Sequence, residues 1–111
     1  MAWNQLTDLD AIPQIAEASA QRPQLIFKHS TRCPISTGAL YRMEGSLDEL
    51  ETKFDVHFLD LIAYRAISNE IASYFDVTHQ SPQVIVVHKG KAVYDASHHS
   101  VSPAVLMETP A

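Results

Sequence analysis

The one cysteine of the chain, Cys33, stands where two structural elements are predicted to meet. An apolar run at residues 25–27 precedes it, and a helical pattern starts at Pro34. The first N–H groups of a helix lack partners inside the helix, and its dipole is positive at that end. Both features favour a thiolate over a thiol, so this position predicts a nucleophilic cysteine. The alternative is an inert buried thiol, the commoner state of a lone cysteine.

Position 36, one helical turn after Cys33, is a serine, whereas a Cys-x-x-Cys protein has its second thiol there. Disulfide exchange runs by thiolate attack on a disulfide sulfur, through a mixed disulfide. Because the chain has no second thiol to resolve that intermediate, an outside thiol must release Cys33. The sequence therefore predicts monothiol chemistry, served by a small and abundant thiol. Ser36 either donates a hydrogen bond to the thiolate or satisfies the backbone of the first turn, and both interpretations remain open.

Five charged or titratable positions near the thiol or late in the chain are weaker candidates. Arg32 and Lys28 can bind the carboxylates of an acidic small thiol, although Lys28 is equally consistent with a solvated charge at a strand end. His29 can act as a base, but packing at the strand end is the favoured interpretation. His98 and His99 are adjacent, so in a strand they would point to opposite faces and make a poor metal pair. We therefore predict no metal site.

The elements that position these residues follow from apolar spacing and from turn residues. Strands alternate with helices, which implies a parallel portion of sheet with helices on both faces, and a closing hairpin adds an antiparallel edge. This order resembles the thioredoxin-like architecture: an α/β fold with a central mixed sheet of about four to five strands. The predicted elements are a short edge strand at 3–6, a helix at 10–20, a strand at 24–29, a helix at 34–54 with a kink or break at Gly45, a strand at 56–61, a helix at 66–75, a loop at 77–83, a strand at 84–87, a turn at Lys89-Gly90, a strand at 91–97 and a helix from Ser102 or Pro103 to Met107.

Composition limits the class of protein. A chain of 111 residues with 46% hydrophobic content predicts one compact domain over residues 1–111. The net charge of −5, with eight scattered Lys and Arg residues, argues against nucleic-acid binding. No apolar run approaches the length of a membrane span, and the N-terminus lacks the pattern of a signal peptide. We therefore expect a cytoplasmic protein, which a single cysteine also fits.

The segment at 27–36, Phe-Lys-His-Ser-Thr-Arg-Cys-Pro-Ile-Ser, resembles the signature of the monothiol bacilliredoxins of the YtxJ type. The resemblance covers nearly the whole chain and includes Ser68-Asn69 and Ser81-Pro82-Gln83, whereas residues 98–102 depart from the Trp-Asp pair that is common near there. Members of this family are thought to remove bacillithiol, a small thiol containing malate, glucosamine and cysteine, from protein cysteines. The resemblance implies bacillithiolated client proteins and a low-molecular-weight thiol as partners. It implies bacillithiol as co-substrate, no bound cofactor, and neither nucleic acid nor membrane as partner.

Cys33 and Ser36 are thus the predicted catalytic residues of a thiol–disulfide oxidoreductase. The predicted thiol-binding residues are Thr31, Arg32, Pro34, Ser81 and Pro82. Cis bonds are a minority of X–Pro bonds, so it is the architecture that predicts a cis Pro82 beside the thiol, with the backbone of Ser81 open to an extended ligand. Two other classes of function remain: a non-catalytic thioredoxin-fold binding module, and a redox sensor or adaptor switched by modification of Cys33.

Overall fold

A five-stranded mixed sheet forms the centre of the fold in the computed structural model, which describes residues 3–110. Its elements in chain order are β1 (Asn4–Gln5), α1 (Ala11–Ala18), β2 (Gln24–His29), α2 (Pro34–Gly45), α3 (Leu47–Leu50), β3 (Asp55–Asp60), α4 (Arg65–Tyr74), β4 (Gln83–His88), β5 (Lys91–Ser97), a 3-10 helix (His98–Ser100) and α5 (Pro103–Glu108). The strand order is β1-β3-β2-β4-β5. β1, β3 and β2 run parallel, and β4 and β5 are antiparallel additions. The predicted α/β architecture is confirmed.

Helices cover both faces of this sheet. Every residue of the central strand β2 is buried, as its continuous apolar run predicted. On one face, α1 and α4 pack against the sheet through Ile12, Ile15, Ile26, Leu59, Ile67, Ile71, Phe75 and Ile85. On the other face, α2, α3 and α5 pack through Leu25, Phe27, Ala39, Met43, Leu47, Leu50, Val84, Val86 and Leu106.

The helix predicted at 34–54 is two helices. α2 ends at Gly45, and Ser46 leaves the helical region with φ −120° and ψ 17° before α3 begins. The break predicted at Gly45 therefore falls one residue later. The apolar stripe continues across it: Met43, Leu47, Leu50 and Phe54 are all buried, so the stripe belongs to the core.

The predicted turn at Lys89-Gly90 joins β4 to β5 as a two-residue hairpin loop. Both residues have left-handed backbone, with φ 52° at Lys89 and φ 80° at Gly90, and His88 pairs with Lys91. This geometry matches the twist of the flanking strands. The turn also docks on the end of α1, because Gly90 N donates to Ser19 Oγ at 2.8 Å.

His98 and His99 lie in the 3-10 helix, so the alternation of side chains along a strand does not apply to them. β5 ends at Ser97, and His98 has a φ of 54°, which turns the chain into the 3-10 helix. His98 N donates to Pro82 O at 3.0 Å, which brings this turn beside the start of β4. Within residues 3–110 no group of three or more His, Cys, Asp or Glu side chains could hold a metal ion. No helix in the same range is long and apolar enough to cross a membrane.

Candidate active site

Cys33 is the N-cap residue of α2. Its backbone is extended (φ −113°, ψ 117°), its N–H donates to Ser30 O at 3.2 Å, and its carbonyl accepts from Thr37 N at 3.0 Å. Pro34 occupies the first helical turn, where a missing N–H costs nothing. The thiol is free and half-buried, and the first turn of α2 carries no acidic residue. Cys33 thus stands at the positive end of a helix dipole, as the sequence predicted, and its nucleophilicity stays a prediction.

Ser36 is fully buried and has two hydrogen-bond partners. Ser30 N donates to Ser36 Oγ at 2.9 Å, and Ser36 Oγ lies 2.7 Å from His29 Nδ1. Burial lowers the pKa of His29, while Asp60 opposes this, and the tautomer of the ring decides whether Nδ1 or the hydroxyl donates in this bond. The structure thus shows the backbone-satisfying role for Ser36. A bond from Ser36 to the thiolate stays a prediction.

His29 packs at the end of β2, as the favoured interpretation had it. Its side chain is buried and stacks on Phe27, with 6.0 Å between ring centroids. The ring of Phe58 lies at 5.6 Å on a tilted plane. This aromatic enclosure fixes the ring that holds Ser36.

Thr31, Arg32 and Pro34 are exposed residues next to Cys33 in the chain. Thr31 and Arg32 are exposed in the turn between β2 and α2, and Pro34 is exposed at the start of the helix. Within residues 3–110 the guanidinium of Arg32 makes no ion pair. These three residues are accessible to a ligand at Cys33, and their role in thiol binding stays a prediction.

The Ser81–Pro82 peptide bond is cis, as predicted. It directly precedes β4, which is antiparallel to β2, and Gln83 pairs with Lys28. Ser81 and Pro82 therefore lie at the end of the sheet where β2 leads into the Cys33 turn. Ser81 Oγ is buried and has no hydrogen-bond partner among residues 3–110, and the role of Ser81 and Pro82 in thiol binding stays a prediction.

The structure contradicts both interpretations of Lys28, as a ligand for carboxylates and as a solvated charge, because its side chain is completely inaccessible to solvent. Its Nζ donates to Ser68 O at 3.1 Å and lies 3.2 Å from His79 Nδ1. Sequence reasoning missed His79 altogether. One signal was present: a lysine inside a strand covered on both faces needs a buried partner.

Comparisons with known proteins agree with this geometry. The family model described as "Monothiol bacilliredoxin BrxC" matches residues 4–106. A solved structure described as an oxidoreductase candidate with a thioredoxin fold matches with a TM-score of 0.82 at 28% identity, covering 95% of this chain and 90% of that one. Thioredoxins from Malassezia sympodialis and Trypanosoma brucei brucei match with TM-scores of 0.73 and 0.72 at 15% and 17% identity, each covering 96% of this chain and 86% of theirs. The predicted thioredoxin-like fold is confirmed.

Proposed function

The chain belongs to the monothiol bacilliredoxin family, whose model spans residues 4–106, and we propose that it removes bacillithiol from mixed disulfides on client proteins through Cys33. It is a thiol redox protein with a thioredoxin fold. The proposal concerns which small thiol it handles, and the partners from which it takes that thiol.

One observation carries the proposal: a free thiol at the N-terminus of α2 is followed, one turn later, by a buried hydroxyl instead of a second thiol. The Ser36 hydroxyl is held by Ser30 and His29. Because Cys33 is the only cysteine of the chain, a mixed disulfide on it persists until another molecule supplies a thiol.

The reaction then has two exchange steps. In the first, the Cys33 thiolate attacks the bacillithiol sulfur of the mixed disulfide, a new S–S bond forms, and the client cysteine leaves as a thiolate. In the second, a bacillithiol thiolate attacks the bacillithiol sulfur on Cys33. Cys33 leaves as a thiolate, and the product is bacillithiol disulfide, which a separate reductase recycles. Electrons and sulfurs balance with no bound cofactor, and we assign the reaction to the cytoplasm, where protein thiols are kept reduced.

Residues on two sides of the thiol support binding of an acidic small thiol. Arg32 is exposed beside Cys33, and a guanidinium forms forked hydrogen bonds with a carboxylate such as that of malate. Thr31 and Pro34 are exposed on the same turn, while Ser81 and Pro82 come from the loop that leads into β4. We propose that these five residues contact the bacillithiol moiety during exchange.

The test follows the adduct itself. A client protein that carries a bacillithiol mixed disulfide is mixed with the wild-type chain and, separately, with Cys33→Ser, and intact masses of both proteins are recorded over time. We expect the adduct to move from the client to wild-type Cys33, and to leave Cys33 when free bacillithiol is added. A client loaded with glutathione serves as the control for the identity of the small thiol.

Failure of transfer, or equal client release by Cys33→Ser, would overturn the proposal. Faster transfer from the glutathione-loaded client would overturn the assignment of bacillithiol. Transfer without release by free bacillithiol would mark Cys33 as a redox sensor instead.

A further inference from the structure

A buried polar cluster lies on the face of the sheet covered by α1 and α4. Lys28 on β2 reaches Ser68 O on α4 and His79 Nδ1 in the loop before β4, at 3.1 and 3.2 Å. Ser68 Oγ is 3.4 Å from the same His79 nitrogen. Because an ammonium group only donates, His79 Nδ1 must be the acceptor of the bond from Lys28.

Gln83, the cross-strand partner of Lys28, holds the same loop from β4. Its Nε2 donates to Thr78 O at 3.0 Å, and its Oε1 accepts from Gln80 N at 3.3 Å. Gln83 is fully buried, as Lys28 is. Two neighbouring strands thus bind three consecutive loop residues, 78–80, immediately before Ser81 and Pro82.

We propose that Lys28 and Gln83 are positioning residues for disulfide exchange, which hold loop 78–80 so that Ser81 and Pro82 are presented to the ligand on Cys33. This inference rests on the proposed function, because it assumes that Ser81 and Pro82 contact the disulfide being exchanged. Neither Lys28 nor Gln83 touches the reacting sulfurs in this assignment.

The charges in the cluster fit this role at neutral pH. Burial lowers the pKa of Lys28 to about 8, so the ammonium form still predominates at pH 7. Burial, together with the charges of Lys28 and Arg65, lowers the pKa of His79, so its ring stays neutral and can accept. Both protonation states are the ones that the bond between Lys28 and His79 requires.

A purely structural lysine would be a poor choice at this position. Burying an ammonium is costly, and an apolar side chain of similar length would fill the same space without that cost. The polar contacts of Lys28 are directed at the loop and at α4, not at the solvent. A function for the loop explains why a charge is kept there.

The test compares His79→Leu with His79→Asn, whose Oδ1 can take the place of Nδ1 as acceptor. In the client assay above, we expect His79→Leu to lower kcat/KM for the mixed disulfide by about tenfold, because small displacements of a binding segment are costly to rate. His79→Asn should restore most of that rate. Alkylation of Cys33 by a small uncharged reagent, which does not need the loop, should be unchanged in both variants.

Two further measurements test whether Lys28 and Gln83 position the loop. Amide hydrogen exchange at Gln80, whose N–H is bound by Gln83, should speed up in His79→Leu and not in His79→Asn. Lys28→Met should reproduce the kinetic defect if the cluster acts as described. Wild-type kcat/KM in a folded His79→Leu, or equal losses in the Leu and Asn variants, would overturn the positioning role. Absence of adduct transfer by the wild-type chain would instead overturn the proposed function, while Gln80 exchange would still report on the loop.

Discussion

Ser36 Oγ lies 2.7 Å from His29 Nδ1, and the hydroxyl also accepts from Ser30 N at 2.9 Å. Both of these contacts bind Ser36 to β2 and its extension, on the side of the helix away from solvent. The position that a dithiol protein uses for its second thiol is therefore occupied by a fixed structural hydroxyl. This relationship leads to two predictions, one for removing the hydroxyl and one for replacing it with a thiol.

Ser36→Ala should destabilise the fold and have little effect on the reactivity of the Cys33 thiol. It leaves the N–H of buried Ser30 without its partner, which lowers the free energy of unfolding by about 1–3 kcal/mol. Urea unfolding measures this, and the alkylation rate of Cys33 should stay near the wild-type rate. Thr37→Ala is the matched control, because it removes an exposed hydroxyl from the same turn. A large loss of alkylation rate at unchanged stability would show instead that Ser36 bonds to the thiolate.

Ser36→Cys should convert the site to dithiol chemistry. Positions 33 and 36 lie on one turn at the start of α2, and His29 Nδ1 would stand beside the new thiol. Mild oxidation should then form an internal disulfide, seen as the loss of two titratable thiols with no change in molecular size. A client disulfide should be released without any added small thiol.

The control for this variant is Tyr41→Cys, which places an exposed thiol about 12 Å along the same helix, out of reach of Cys33. It should give intermolecular disulfides only. If Ser36→Cys behaves in the same way, residues 33 and 36 do not share the turn described above.

Sequence predicted the features that neighbouring residues determine. β2 and the turn at Lys89-Gly90 follow from a local apolar run and a local turn signal, and both are found. The position of Cys33 before a helix starting with Pro34 is equally local.

The features that sequence missed depend on distant partners. Lys28 is paired with Ser68 and His79, which are 40 and 51 residues away along the chain. The buried strand indicates that Lys28 needs a partner, but no local pattern identifies which residues supply it. The 3-10 helix at His98–Ser100 was not predicted, because it begins with a left-handed backbone at His98 that no sequence signal indicates and that is uncommon for a residue other than glycine.

His57 should make the fold sensitive to acid. Burial lowers its pKa from 6.5 to about 4, against the opposing charge of Asp55, and His57 Nε2 is 2.7 Å from Gln24 Oε1. Between these pH values the unfolded chain binds a proton that the folded chain does not. The free energy of unfolding is therefore retained above pH 6.5 and falls, by at most about 3 kcal/mol, as the pH drops towards 4.

His57→Gln keeps a donor for Gln24 but removes the titration. Urea unfolding at pH 7.0, 5.5 and 4.5, values chosen to bracket that window, should show a shallower loss of stability in this variant than in the wild type. His99→Gln, at an exposed histidine, should keep the wild-type slope. Parallel pH profiles for wild type and His57→Gln would contradict the burial effect on His57.

Lys28→Met should remove a dependence of the free energy of unfolding on pH in the alkaline range. Burial lowers the pKa of Lys28 from 10.5 to about 8, so between these values the unfolded chain holds a proton that the folded chain has lost. The wild-type free energy of unfolding should therefore rise, by up to about 3 kcal/mol, as the pH increases from 8 towards 10.5, and this gain is absent below pH 8. Lys28→Met should lack the rise, and at pH 7 it should be about as stable as the wild type, because the relieved burial of charge offsets the lost bonds to Ser68 and His79. Urea unfolding at pH 7.5 and 9.5, on either side of the lower value, measures the difference, with exposed Lys91→Met as the control. A rise in the free energy of unfolding of Lys28→Met equal to that of the wild type would mean that the buried ammonium is not its source.

The same variant also separates two effects of the buried charge. If Lys28→Met keeps full stability at pH 7 yet exchanges disulfides slowly, the charge positions the loop without stabilising the fold.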